Sequence, residues 1–307
     1  MDLYAGFDLG GTRLKYGLVD WRGRAVHTEE AETPDGIDSL LALLEDIWKG
    51  LRQKGGNDIR AAGFGFAGIF SLRERKILQS PNYPGLDDFD LVPALSRFIR
   101  LPIFIHNDAN MAAFGEFRAG AGRGTASLIL LTIGTGVGGG VILDGRLWEG
   151  ACGFAGEIGH AVVNPEGDRC NCGGRGCLET EVSAAKIVAH YRKLTGFGEA
   201  MTAEDVCRRA EAGDAAARAA FEAVARFLGI ALGSFINLLN PELVLLGGGV
   251  MEAGGLLLEP AAAEARKRSF RAAFECSRIE RASLGNKAGF LGAALWAKEQ
   301  IDLRIRS

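Results

Sequence analysis

The chain opens on a buried apolar run, residues 3–8, that ends at Asp8 and turns at once through Gly10 and Gly11. Leu14, Tyr16 and Leu18 then alternate with polar or small residues, and Trp21-Arg22-Gly23 turns into a third strand, so a hairpin and meander are predicted. Ile37, Leu40, Leu41, Leu44, Ile47, Trp48 and Leu51 recur at helical spacing and predict an amphipathic helix. A strand over 60–66 ends at Phe66-Ala67-Gly68, and a short one over 102–106 ends at His106-Asn107-Asp108, where a helix begins. After Gly120 the pattern restarts. Ser127 to Ile133 reads as a strand, Gly134-Thr135-Gly136 as a turn, Val137 to Leu143 as a second strand and Asp144-Gly145-Arg146 as a further turn. Helices are predicted over 183–195, 202–211 and 214–239, and a strand over 242–246 ends in Gly247-Gly248-Gly249. A last helix, 287–302, carries Phe290, Leu291, Ala294, Leu295 and Ile301, and can return to the first domain.

A strand, a glycine turn and a strand thus occur twice, near residues 10 and 135. We read this as an internal duplication: two similar αβ domains, each offering a glycine turn to a shared cleft. The alternative is two unrelated hairpins. The expected division is 1–118 with the C-terminal helix (about 287–307) as a small domain, and 119–286 as a larger one.

The 307 residues, 48% of them apolar, can build that much core. A net charge of -3 argues against nonspecific nucleic-acid binding, which needs a basic face. No run approaches the length of a membrane span, and the first residues have no basic or secretory character, so a cytoplasmic protein is expected. In that compartment a cysteine cluster points to metal rather than to a disulfide framework.

Such a cluster is present. Cys170, Cys172 and Cys177 lie in one glycine-rich segment, ten residues after His160. Three sulfurs and an imidazole make the ligand set of a closed, structural zinc site. Free thiols or a disulfide among neighbours are the other reading. The knuckle would tie down Glu157 and Glu179, and acceptors on Glu157, His160 and Glu179 suit the adjacent hydroxyls of a polyol. If zinc takes one ring nitrogen of His160, the other is left for a second partner.

Two further constellations carry chemistry. In Asp8-Leu9-Gly10-Gly11-Thr12 the glycines let backbone N–H groups approach phosphate oxygens, Thr12 offers a hydroxyl, and Asp8 suits a magnesium ion held through water. Gly134-Thr135-Gly136 repeats the theme, and Gly247-Gly248-Gly249 offers bare backbone to an adenine or ribose, with a simple structural turn as the plainer reading. Asn107-Asp108 places a carboxylate able to accept an alcohol proton beside an amide able to bond a neighbouring hydroxyl. A helix cap without chemistry is the alternative there.

In this order, Asp8-Leu-Gly-Gly-Thr-Arg-Leu-Lys15, Asn107-Asp-Ala-Asn, Gly134-Thr-Gly-Val-Gly-Gly-Gly, Glu157-Ile-Gly-His160 and Cys170-x-Cys-Gly-x-x-Gly-Cys-Leu-Glu179 resemble the ROK family of repressors, uncharacterised frames and sugar kinases, above all its glucokinase-like members. The resemblance implies the actin-like (ribonuclease H-like) two-domain α/β sugar-kinase fold, with sugar and ATP in an interdomain cleft. It implies Asp108 as catalytic base, sugar contacts from Gly68, Asn82, Asn107, Asp108, Glu157, His160 and Glu179, and a homodimer or homotetramer. ATP, Mg2+ and structural Zn2+ are the cofactors expected, and glucose the first acceptor, with fructose, allose, N-acetylmannosamine and N-acetylglucosamine as alternatives. Arg13 stands where the family usually has lysine, and Lys15 follows two residues on; both stay candidates for phosphate. After Glu179 the chain reads Thr-Glu-Val-Ser, a departure at the expected border of the sugar pocket. A sugar-sensing repressor is the rival class, but its helix-turn-helix would have to precede Asp8.

Overall fold

The computed structural model describes residues 1–71, 76–80, 85 and 87–306. Its first half holds β1 (Leu3–Leu9), β2 (Arg13–Asp20), β3 (Ala25–Glu32), β4 (Ile59–Phe66), a small hairpin of β5 (Ile69–Ser71) and β6 (Lys76–Gln79), and β7 (Ile103–Asn107). Its second half holds β8 (Leu128–Ile133), β9 (Val137–Leu143), β10 (Arg146–Leu147), β11 (Leu243–Gly247) and β12 (Arg278–Arg281). The two five-stranded sheets have one topology, β3-β2-β1-β4-β7 and β10-β9-β8-β11-β12, antiparallel across the first three strands and parallel across the rest. The repeat expected from the glycine turns is therefore a repeat of the whole sheet.

Each sheet is covered on its outer face by its own helices. Leu3, Ala5, Phe7 and Leu9 of β1 alternate into a core with α1 (Ile37–Gly55) and the short α2 (Leu91–Leu95). Ile129, Leu131 and Ile133 of β8 point into the larger core of α4 (Leu178–Glu181), α5 (Ala184–Thr195), α6 (Ala203–Glu211), α7 (Ala215–Leu239) and α8 (Gly255–Arg268). Between the sheets lie α3 (Asp108–Ala119) and, after the short α9 (Arg271–Cys276), the C-terminal α10 (Ala288–Arg306), packed on each other. Leu128 and Leu130 of β8 and Tyr4 of β1 meet them there, as the period-2 alternation requires.

Glycine decides how close the middle layer comes. A Cβ on Gly6 or Gly63 would collide with the Phe290 or Ala293 carbonyl of α10. A Cβ on Gly138 or Gly140 would press on Ala109 or Ala113 of α3. Gly138 and Gly140 thus serve helix-on-sheet packing, while Gly139 between them faces Ile158.

Helix starts follow local capping chemistry. Thr202 and Asp205 form a capping box on α6, Ser183 caps α5, and Asp214 caps α7 by accepting from Ala216 and Ala217. Helix α7 corrects one expectation, because by length and composition it could cross a membrane. Most of that stretch is instead buried inside the protein, which is what an apolar helix between α5, α8 and a sheet requires. The segments α8, α9 and β12 had no counterpart in the sequence reading; β12, Arg-Ile-Glu-Arg, is a charged edge strand without an apolar run.

Candidate active site and metal knuckle

The C-terminal ends of β1, β4 and β7 stand side by side, with Asp8 opposite Gly65 and Gly65 opposite His106. Asp8 follows Tyr4 and Gly6 on the inner face, and Lys15 of β2 is its cross-strand partner. Both line a cleft of about 710 Å³ together with Asp108, Glu116, Thr132, Gly247, Gly248, Gly249 and the 281–289 segment. Residues from both sheets therefore face one cavity at strand C-termini, where ligands collect in αβ folds.

Asp108 is the first residue of α3, and Asn107 is its cap: Asn107 Oδ1 accepts from the Asn110 N–H at 3.0 Å. Asn107 Nδ2 donates to the Gly68 carbonyl at 3.1 Å. Capping thus falls to Asn107, and the Asp108 carboxylate accepts from the Ala109 N–H at 2.8 Å and from its own backbone N–H. Gly68 has φ 145°, and a Cβ there would strike the Gln79 carbonyl, so glycine is required. Asn82 lies outside the described residues.

The carboxylates feel one another. Burial pushes Asp8 up to about 7, with the charge of Asp108 adding and Lys15 opposing. Burial also raises Asp108, against the Ala109 N–H. Glu157 is raised by burial, with His160 opposing and Asp108 and Glu179 adding, which ties the knuckle electrostatically to the cleft. Acidic groups crowded around Lys15 fit a hard divalent cation, which takes carboxylate and water oxygens.

The other candidate positions are placed differently. Arg13 pairs with Glu30 on the exposed side of β2, so of Arg13 and Lys15 it is Lys15 that lines the cleft, where Arg281 of the second half is also basic. Gly10, Gly11 and Thr12 form a tight turn, Gly10 N–H to Arg13 carbonyl at 3.1 Å, tied to Thr33; it does not form part of the cleft wall. Gly134, Thr135 and Gly136 do not line it either. Gly134 accepts from Ala184 at the start of α5, and the Glu179 carboxylate packs on Gly136 and accepts from Val137 N–H at 3.0 Å. Gly248, at φ 87°, lies on the Ile133 backbone, whereas Gly249 faces open space.

Ligand atoms of His160, Cys170, Cys172 and Cys177 all lie within 4.8 Å of one another. Cys172 and Cys177 sulfurs are 3.6 Å apart, as are Cys170 sulfur and His160 Nδ1. Tetrahedral zinc with bonds of about 2.3 Å sets sulfurs about 3.8 Å apart, so the donor set fits that ion. Every cysteine is free, which removes the disulfide reading. His160 Nε2, the nitrogen left over, is 3.9 Å from a Glu157 oxygen. In the departure after Glu179, the glutamate is turned into the protein. Glu181 is buried, accepts from Asn164 at 2.8 Å and faces Lys186, which also pairs with Asp168.

Sequence reading missed Thr132, Glu116, the 281–289 turn and the His106–Glu149 pair. The imidazole of His106, 2% exposed, accepts from Asn107 N–H at 2.8 Å through Nδ1 and so donates from Nε2 to Glu149 at 3.0 Å. Of these only the turn had a local signal, Gly285-Asn286 ahead of an apolar helix.

Two αβ halves with one strand order, joined across a cleft that carries paired acids, define the actin-like sugar-kinase class. Residues 4–300 match the ROK family, and the chain belongs to it. It is 36% identical to a glucokinase of Halalkalibacterium halodurans, over 97% of this chain and 95% of that one. It is 32% identical to an N-acetylmannosamine kinase of Yersinia pestis, over 96% of this chain and 98% of that one. A ROK glucokinase from Streptomyces griseus, solved with glucose and AMPPNP, superposes with a TM-score of 0.81 at 32% identity, covering 97% of this chain and 99% of that one.

Proposed function

We propose that this chain is an ATP-dependent hexokinase that phosphorylates the 6-hydroxyl of glucose. The observation that carries the reading is Asp108, a buried carboxylate with a raised pKa at the head of α3, in the same cleft as Asp8, Lys15 and the end of β11. In this reading Asp108 takes the proton of the sugar hydroxyl, the freed oxygen bonds to the γ-phosphorus, and the bond from that phosphorus to the β-bridging oxygen breaks, releasing ADP. Its raised pKa makes Asp108 a stronger base once it is ionised. Lys15 offsets phosphate charge, and Asp8 would hold magnesium through water. Magnesium, when bound, neutralises charge on the phosphates.

Gly68, Asn107, Glu157, His160 and Glu179 would orient the sugar. Three of them are already braced, Glu179 on Val137, Asn107 on Gly68 and His160 in the zinc set. Zinc would hold the 157–179 segment in place rather than react. The two bodies that close on sugar would be 1–118 with the C-terminal helix, and 119–286; closure would exclude water. Exposed Leu238 and Phe270, linked through Asn237, favour a homodimer or homotetramer, and six free thiols favour a cytoplasmic setting.

A second reading, N-acetylmannosamine as acceptor, is favoured by the 32% identical relative. ADP release with Mg-ATP across hexoses and N-acetylhexosamines separates the two. Glucose-dependent release supports the first reading, release with N-acetylmannosamine alone supports the second, and release with no sugar overturns both.

A further inference from the structure

Glu116 lies in the last turns of α3 and is fully buried. A carboxylate with no exposure needs several donors. Here they come from two distant segments. Glu116 Oε2 accepts from Ala121 N–H at 2.9 Å and from the Ser283 hydroxyl at 3.1 Å, and Oε1 accepts from Leu284 N–H at 2.7 Å. Its own carbonyl accepts from the Gly120 and Gly122 N–H groups, both at 3.0 Å. Gly120 packs so closely on the carboxylate that a Cβ would collide with it.

The chain passes between the halves twice, from α3 to β8 through 120–127 and from β12 to α10 through 282–287. One carboxylate therefore binds both crossings. It also fixes the 283–286 turn, of which Ser283, Gly285 and Asn286 line the cleft. Hinge residues are few and sit at element ends, as these do.

We propose that Glu116 is a positioning residue: it locks the two crossovers into one hinge, so that the halves close on substrate as rigid bodies and the 283–286 turn stays aligned with the cleft. The consequence for turnover rests on the kinase reading; the coupling of the crossovers does not. Glutamine in place of Glu116 keeps the shape but turns one acceptor into a donor, which must face either Leu284 N–H or Ala121 N–H.

The test compares wild type, Glu116→Gln and Ser283→Ala as full-length protein. Hydrogen exchange in substrate-free protein should show the 120–122 and 283–284 amides losing protection together in Glu116→Gln. With Mg-ATP and glucose, its kcat should fall about 10- to 100-fold through misalignment, while KM for glucose stays within about threefold, because closure acts on the transition state. Ser283→Ala keeps the carboxylate and both backbone bonds, and should lower kcat about two- to fivefold, in keeping with the loss of one hydrogen bond of three. The proposal is overturned if folded Glu116→Gln keeps kcat within about twofold of wild type, if one crossover loses protection and the other does not, or if lost activity only follows lost folded fraction. Wild type without sugar-dependent ADP release would defeat the kinase reading and leave the exchange comparison to decide the hinge.

Discussion

The two sheets are alike in strand order and unlike in chemistry. Asp8 stands two residues before the glycine turn of the first hairpin, and Thr132 stands two residues before that of the second. Each faces a glycine on the neighbouring parallel strand, Gly65 or Gly247, and each lines the cleft. At these matched strand ends the first half supplies Asp8, Lys15 and Asp108, and the second supplies the Thr132 hydroxyl and bare backbone, its charged Arg281 and Glu252 being paired with each other elsewhere on the wall. A repeated scaffold has been divided between charge and cradle. The second half spends its extra length on the knuckle and on α5 to α8, and its glycine turn is taken up by Glu179 and the head of α5.

The sharpest way to break this division is at the acids. Asp108→Asn should lower kcat about 10²- to 10⁴-fold, the range of a lost general base, with glucose still bound; near-normal ADP release would remove the base from the first half. Next comes the knuckle. Chelation, or Cys172→Ser, should release bound zinc, speed hydrogen exchange over 157–179 and weaken glucose binding about tenfold or more, as loss of a metal's support does elsewhere. If glucose affinity survives in zinc-free protein, the knuckle has no part in the site.

A finer comparison sets Asp8→Asn against Thr132→Val. Folded Asp8 holds its proton up to about 7 against a normal 3.8, so the folded chain binds more protons than the unfolded one in that window. Its cost is absent below 3.8 and complete above about 7, and nucleotide-free protein should lose stability as pH rises through that window. Asp8→Asn should flatten the loss and raise Tm at pH 8 by about 2 °C or more, while activity falls. Thr132→Val should leave the pH profile of Tm as it is; an unchanged profile in Asp8→Asn would show that the aspartate is not strained. The smallest effect is expected at Arg13. Arg13→Ala breaks only an exposed pair with Glu30, worth about 0–1 kcal/mol, so KM for ATP should hardly move, whereas Lys15→Ala should raise it. The reverse order would return phosphate binding to Arg13.

Much of this was legible because the signals are short in range. The helix starts at 183, 202 and 214, the Asp144-Gly145 turn and the Cys170–Cys177 cluster all rest on short stretches of chain, and local chemistry suffices to see them. Asp8, Asn107 and Asp108 were legible as strand ends followed by turns or helices. Legibility was lower where one motif had two possible uses. The glycines at 138 and 140 admit a helix, the turn at 134–136 receives Glu179, and the departure at Glu181 serves the underside of the knuckle; composition is the same for either use.

By itself, then, the sequence determined most of the elements, the doubled glycine turn, the four residues of the Cys/His cluster and the family, since each depends on periodicity or spacing within a short stretch. Tertiary structure alone decided that Lys15 rather than Arg13 lines the cleft, which glycines pack against helices, and that Glu116 meets Ser283 and Leu284, 167 and 168 residues away. Those contacts arise from packing two sheets around α3 and α10, and a buried carboxylate shows its role only once the donors around it are in place.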